Sequence, residues 1–287
     1  CNQERRRHNL SHFPVAPRGS GSPDAGLMAN RRIRIGIDVG GTFTHAVAVD
    51  TATFELAATV KVPTTHRDPR GVAAGIVESL FRLLEAGRIA PEEIVLIAHS
   101  TTQATNALLE GDVAPVGIVG MDQGIGARRG RSQTRIGDVE LAPGRFLRTF
   151  HTFFDVSNGL DEEALGRGID SLLEQGAQVI VASAWFSVED PTYENQVAEH
   201  CRCRGILVTT GSEISQLYGL RARTRTAVIN ASMLPKMLET ANMTERSVRE
   251  AGITAPLMIM RSDGGIMDID QMRRRPILTM LSGPAAG

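Results

Sequence analysis

Asp38, Gly40, Gly41, Thr42 and Thr44 fall within one stretch, Ile35-Gly36-Ile37-Asp38-Val39-Gly40-Gly41-Thr42-Phe43-Thr44. A short apolar strand runs into an Asp, then a Gly pair, then hydroxyl residues. A second apolar run, Ala46-Val47-Ala48-Val49-Asp50, leaves the turn. A hairpin tip stripped of side chains lets backbone N–H groups approach an anion such as phosphate. Asp38 can hold a hydrated Mg2+ beside that phosphate, and Thr42 and Thr44 can donate hydrogen bonds to it. A Gly pair between strands is also an ordinary hairpin turn. No Gly-Lys-Ser/Thr follows, so the stretch is not a P-loop. A strand follows where a dinucleotide fingerprint needs a helix.

Three further segments are polar, rich in small residues and placed at the ends of strands, where α/β proteins put ligands. They are His99-Ser100-Thr101-Thr102-Gln103-Ala104-Thr105-Asn106, Arg261-Ser262-Asp263-Gly264-Gly265, and Leu281-Ser282-Gly283-Pro284-Ala285-Ala286-Gly287. The first sets Thr101 and Thr102 at a helix N-terminus, where hydroxyls bind an anion or cap the helix, with capping the favoured role for Thr102. His99 is either an acid/base residue or a structural one, and a lone His after a strand is more often structural.

The elements that must position these residues follow from periodicity. Ile33–Val39, Thr44–Asp50 and Glu55–Val62 read as a three-strand meander. Asp68-Pro69-Arg70-Gly71 opens a helix to about Ala86, with Val72, Ile76, Leu80, Leu83 and Leu84 at helical spacing. Ile94–Ala98 and Val116–Val119 read as buried strands, with a helix over Thr102–Leu109 between them. Met121–Arg135 has little apolar periodicity and reads as a flexible loop. Its Arg128, Arg129, Arg131 and Arg135 either attract an anionic substrate or are simply solvated. Helices from Leu160 to Gln175 and from Asp190 to near Cys203 alternate with strands Val179–Ala184 and Ile206–Thr209. A long helix runs from Ala227 to about Glu250, and strand Leu257–Arg261 ends in a tight turn at Ser262–Gly265. The alternation predicts an α/β class with largely parallel sheets behind an antiparallel entry meander.

The chain has 287 residues, 42% of them hydrophobic, and a formal net charge of −1. That is enough for one large or two ordinary domains. Near-neutral charge argues against nucleic acid as a partner, and no apolar run is long enough to cross a membrane. Three cysteines make no disulfide framework, and the expectation is a cytoplasmic protein with reduced thiols. Residues 1–27 are rich in Arg, Pro, Gly and Ser without periodicity, and read as a disordered or non-native leader.

In combination, Asp38–Thr44, Ser100–Glu110, Asn230 within Thr226–Ala231, Arg261–Gly265 and Ser282–Gly287 resemble the hydantoinase/oxoprolinase family, in the family's order. The resemblance is nearest to hydantoinase A or N-methylhydantoinase A-type proteins, and extends to the β-type subunits of acetone and acetophenone carboxylases. It implies an actin-like ATPase (ribonuclease H-like) fold, incomplete at the C-terminus. It divides the chain into an N-terminal domain over 33–210 and the start of a central domain over 211–287. The implied activity is ATP-dependent opening of a cyclic amide of the hydantoin or 5-oxoproline type, by phosphorylation of the amide oxygen. The related alternative is enol phosphate formation from a ketone in a carboxylase. A hydantoinase B-type subunit or domain is the implied partner, with ATP and Mg2+ as cofactors.

By the same resemblance, Asp38 and Thr102 are the catalytic candidates and Asp38 the metal ligand. Gly40, Gly41, Thr42, Thr44 and Gly283 would hold the nucleotide. Thr101, Asn106, Asp263, Gly264 and Gly265 would shape the cleft. His45 stands where the family usually has Asp, and residues 122–128 depart from the family's acidic loop. With the second phosphate turn of the family lying past Gly287, this stretch alone is expected to hydrolyse little ATP and to expose an apolar edge near Gly287. A non-catalytic remnant that binds a partner or nucleotide weakly is the third reading.

Overall fold

The computed structural model describes residues 31–65 and 72–283. The leader at 1–27, the expected helix start at Asp68–Gly71 and the last residues of the Ser282–Gly287 motif lie outside the described residues. In chain order the strands begin with β1 (Ile33–Val39), β2 (Phe43–Asp50) and β3 (Leu56–Pro63). Helix α1 (Val72–Gly87), β4 (Ile94–Thr101) and α2 (Gln103–Glu110) follow. Next come β5 (Val116–Asp122), α3 (Ala127–Thr134), β6 (Val139–Ala142), β7 (Arg145–Leu147) and β8 (Thr149–Asp155). Then α4 (Glu162–Glu174), β9 (Val179–Ala184), α5 (Thr192–Cys203), β10 (Val208–Thr210) and α6 (Gly211–Ile214) lead into α7 (Leu220–Glu250). β11 (Leu257–Met260), β12 (Ile266–Asp268) and α8 (Ile269–Arg274) complete the described elements.

Two main sheets result. The first has six strands in the order β12-β11-β4-β1-β2-β3. β1–β2–β3 is the expected antiparallel meander, while β4 runs parallel to β1 and β11 parallel to β4. On β1 the inward residues Ile33, Ile35, Ile37 and Val39 are buried and the residues between them face outward or are half-buried. α1 covers that inner face with Ile76, Leu80 and Leu83. Burying each such side chain contributes about 1.5–3 kcal/mol.

The second sheet, β10-β9-β5-β8, is parallel throughout. Every residue of β5 and β9 is buried, which is why both read as unbroken apolar runs. α7 joins the two cores. Ala227, Val228, Ala231 and Leu234 pack on the second sheet, and Met233, Met237, Ala241 and Val248 on the first. β11 and β12, beyond residue 210, complete the sheet that β1–β4 begin, so a cut at 210 divides that sheet.

The stretch 121–135 is a correction. Instead of a flexible loop it is the end of β5, a 3-10 turn at Gly124–Gly126 and helix α3. The helix shows no apolar stripe because its buried positions are Gly130 and Thr134. It lies so close to β5 that a Cβ added at Gly120 would sit 2.2 Å from the Thr134 hydroxyl oxygen. Close approach selected small residues in place of leucines. Two of its arginines lie over aromatic rings, Arg129 on Trp185 at 5.3 Å and Arg131 on Phe153 at 4.9 Å. α7 also begins seven residues before the expected Ala227, and β6, β7 and β8 occupy a stretch with no expected element.

Cys201 is buried, which pushes its thiol up to about 12, and Cys203 is exposed; both are free. Among the described residues no helix is long and apolar enough to cross a membrane.

Candidate functional site

The parallel register sets Asp38 beside Ser100 and Val39 beside Thr101, so two of the polar segments meet at the carboxyl ends of β1 and β4. Ser100 Oγ donates to Asp38 Oδ1. On its other side Asp38 faces His45 across the β1–β2 pair. The Gly40 N–H donates to the Phe43 carbonyl at 3.1 Å and closes the hairpin.

Neither Gly40 nor Gly41 has a positive φ, so the turn itself does not require them. Space does. A Cβ on Gly40 would lie 3.0 Å from the Phe43 carbonyl oxygen, and one on Gly41 would project into open space. The tip is bare at Gly41, with exposed Thr42 beside it. It is braced from behind by Thr64, whose hydroxyl donates to the Gly40 carbonyl at 2.8 Å and whose N–H donates to the Thr42 carbonyl at 2.9 Å. Thr44, expected to donate to a phosphate, is fully buried and points inward. Its hydroxyl meets that of Thr64 at 3.2 Å. The strict alternation of β2 puts Thr44 on the core face with Ala46 and Ala48.

At the head of α2 the two threonines divide the work differently from the expectation. Thr102 occupies the N-cap position but makes no side-chain cap bond; its hydroxyl donates to the Val39 carbonyl at 3.3 Å. Thr101 Oγ1 instead accepts the Gln103 N–H at 3.1 Å. His99, just before them, is buried and pushed down to about 4 by that burial, so it stays neutral near pH 7.

Residues 281–283 arrive from the far end of the chain. Ser282 Oγ donates to the Thr101 carbonyl at 3.0 Å and accepts the Thr101 N–H at 3.2 Å. Gly283 follows so closely that an added Cβ would lie 3.5 Å from Thr102 Cγ2 and 3.8 Å from Asp38 Oδ1. Leu281 takes φ +60, and its N–H donates to Thr105 Oγ1 at 3.2 Å. A left-handed Leu costs about 1–2 kcal/mol, against about 0.5–1 kcal/mol of chain entropy for Gly. Leu281→Gly is therefore expected to stabilise the chain by about 0.5–1 kcal/mol, because the exposed side chain gives up little packing. Urea unfolding checks it, and a loss of stability would show that the Leu281 side chain packs productively.

An open cavity of about 420 Å³ lies against this junction, lined by Gly41, Thr101, Thr102, Asn106 and Lys236 among others. Lys236, on α7, pairs with Asp112 at its far wall. Its place in the middle of a long helix gives no local signal in the sequence. Asp263, Gly264 and Gly265 stand apart from this lining. They form the β11–β12 turn, on the same carboxyl edge of the sheet but beyond β4. There the Gly265 N–H and the Arg261 guanidinium hold the Asp263 carboxyl below its usual range, and Gly264 has φ +82. Asn230 is a structural tie, donating to Thr209 Oγ1 and the Arg274 carbonyl and accepting the Ile277 N–H.

The structure thus brings Asp38, Gly41, Thr101, Thr102, Asn106 and Gly283 to one place, around a bare turn and a helix N-terminus. Comparison with known proteins agrees with the sequence pattern. Residues 34–205 match the hydantoinase/oxoprolinase N-terminal region, and residues 223–287 match the hydantoinase/oxoprolinase domain. The caprolactamase alpha subunit of Pseudomonas jessenii is 29% identical over 280 residues, covering 90% of this chain and 39% of that one. The acetophenone carboxylase gamma subunit of Aromatoleum aromaticum is 26% identical over 284 residues, covering 88% and 38%.

Among solved structures, the ATP-dependent caprolactamase of Pseudomonas jessenii superposes with a TM-score of 0.64 at 26% identity, over 88% of this chain and 39% of that one. Nucleotide-free acetone carboxylase does so with 0.66 at 21% identity, over 90% and 40%, a likeness of fold. The chain spans about two fifths of the length of these relatives. The mixed α/β architecture is of the actin-like ATPase type. By sequence match over most of its length, the chain belongs to the hydantoinase/oxoprolinase family.

Proposed function

We propose that this chain carries the first phosphate-binding turn of an ATP-dependent enzyme that opens a cyclic amide. The observation that carries the reading is that Asp38 and Gly283 meet at Thr102, and that Thr102 and the bare Gly41 tip line one open cavity. The caprolactamase relatives support the cyclic-amide class, and the solved one, an ATP-dependent caprolactamase, supports the use of ATP.

Mg2+ fits the residues present. It keeps most of its waters and needs only one or two carboxylates besides the phosphates, and Asp38 is exposed with one oxygen fixed by Ser100. When bound, the ion would neutralise charge on the phosphates. The chain's own residues position. The Gly40-Gly41 tip lets the phosphates come close to the backbone, the α2 N-terminus faces them with its partial positive charge, and Ser282 locks residues 281–283 against β4.

In the reaction so served, the amide oxygen attacks the γ-phosphorus of ATP and ADP leaves. Water then adds to the activated ring carbon and the C–N bond breaks, which leaves the opened chain as an acyl phosphate; a second water hydrolyses that acyl phosphate to the free carboxylate and releases phosphate. A second, hydantoinase B-type subunit is the proposed partner, in keeping with the subunit names of the relatives, and the cytoplasm is the proposed setting.

Asp38→Asn is expected to weaken binding of a fluorescent ATP analogue at least tenfold, about 1.4 kcal/mol, with the fold intact because the side chain is exposed. Titration by fluorescence anisotropy checks it. Equal affinity in both proteins would remove Asp38 from the site, and absence of binding by the unmodified chain at millimolar nucleotide would overturn the reading.

A further inference from the structure

We propose that Asp38 and His45 together form a divalent-metal site that prefers an imidazole-accepting ion, manganese(II) or cobalt(II), over magnesium. This rests on the nucleotide reading above. The two residues are direct cross-strand partners in the β1–β2 register. Their neighbours Ile37 and Ala46, also partners, are both buried, so the Asp38 and His45 side chains leave the sheet together on its open face. Directly opposed residues have Cβ atoms about 4.5–5.5 Å apart, close enough for a carboxylate and an imidazole to close on one ion at ordinary ligand distances.

The surroundings leave both groups available for that role. Ser100 holds Asp38 Oδ1, which orients the carboxylate and leaves its second oxygen for the ion. His45's other cross-strand neighbour is Lys61, the cation best placed to repel a metal. Its ammonium lies over the Phe43 ring at 4.1 Å. Among the described residues no group of three His, Cys, Asp or Glu is close enough to hold an ion. The site therefore supplies two protein ligands and takes the rest of its coordination from water and nucleotide oxygens. Magnesium favours all-oxygen, octahedral surroundings and gains little from an imidazole, whereas first-row ions bind a mixed nitrogen and oxygen site more tightly, cobalt more so than manganese. A consequence is mutual dependence: the ion is held weakly until a nucleotide completes its shell.

The test uses cobalt(II) and manganese(II) with ADP and the full chain. Visible absorption of cobalt(II) reports nitrogen ligation, and electron paramagnetic resonance counts bound manganese(II). In the unmodified chain, ADP is expected to tighten manganese binding at least tenfold and to change the cobalt spectrum. Magnesium should compete at least tenfold less well than manganese. His45→Ala should abolish the spectral change, and His45→Asp should bring the magnesium and manganese affinities within about threefold of each other. Both substitutions lie on an exposed strand position, so folding is not at risk.

An unchanged cobalt spectrum and manganese preference in His45→Ala, with ADP still bound, would overturn the ligand role of His45 and leave the nucleotide reading standing. Failure of ADP to bind with any ion would overturn the nucleotide reading, and this site with it.

Discussion

Glu194→Ala is expected to remove about 3–5 kcal/mol of folding stability, because it strips the acceptor from three buried donors and the nearby negative charge from a buried guanidinium. Glu194 is fully buried in the first turn of α5. One carboxylate oxygen accepts the Ala184 N–H at 2.9 Å; the other accepts the Ser212 N–H at 2.9 Å and the Ser212 hydroxyl at 2.6 Å. Arg223, also fully buried, donates to the carbonyls of Leu217 and Ala184 at 2.6 Å and of Trp185 at 2.9 Å. Burial pulls its guanidinium below the ordinary value, and Glu194 and Glu189 push it back.

Truncating Glu194 would leave two backbone donors and a hydroxyl without an acceptor, and a buried cation without its counter-charge. Against a total stability of about 5–15 kcal/mol, that is a large fraction. A double replacement, Glu194→Leu with Arg223→Met, should recover less than half of the loss: it removes both charges at once, but leaves the same backbone donors, and the carbonyls that Arg223 held, without partners. Chemical denaturation of the three proteins checks this, and a loss below about 1 kcal/mol for Glu194→Ala would mean that the charges are solvated in solution. The same network fixes the carbonyls of Ala184 and Trp185, which wall a cavity of about 150 Å³ at the ends of β5 and β9.

Gly41→Val should have the largest functional effect for the smallest structural one. The backbone at Gly41 has no positive φ, and a Cβ there meets nothing within 4 Å. The folded chain should therefore accept Val within about 0.5 kcal/mol, as surface substitutions generally do. The branched side chain would stand where a phosphate must approach the turn, and nucleotide affinity should fall at least tenfold, about 1.4 kcal/mol or more. Gly40→Val is the useful contrast. Its Cβ would press on the Phe43 carbonyl at 3.0 Å, so it should lose stability as well as binding. Thermal unfolding together with nucleotide titration separates the two effects. Undiminished affinity in a folded Gly41→Val protein would mean that phosphate does not come to this turn.

How much of this was legible in the sequence depended on distance along the chain. The meander, β5, β9 and α1 announce themselves through local periodicity, and so does the turn at Asp38. The junction around that turn was legible only as separate polar segments. What joins them is the parallel pairing of Asp38 with Ser100 and the Ser282–Thr101 bonds, 181 residues apart. α3 was missed because close packing against Gly120 replaced its apolar stripe with Gly130 and Thr134. Thr44 was misplaced by reading hydroxyl chemistry without strand alternation. Lys236, Glu194 and Arg223 gave no signal, since a charged residue inside a helix reads as solvated until its buried partner is known.

The six-stranded sheet also sets a timetable for synthesis. β4 lies in its middle, yet β11, the strand that covers its free edge, begins about 155 residues later in the chain. At translation rates of about 5–20 residues per second, that edge waits roughly ten to thirty seconds for its neighbour. Throughout that interval Ile94–Thr101 offers an unpaired row of backbone groups to any passing strand. The second sheet, whose strands all lie between residues 116 and 210, can form while the first is still open. The nascent chain is therefore most exposed to misassembly before β11 is made.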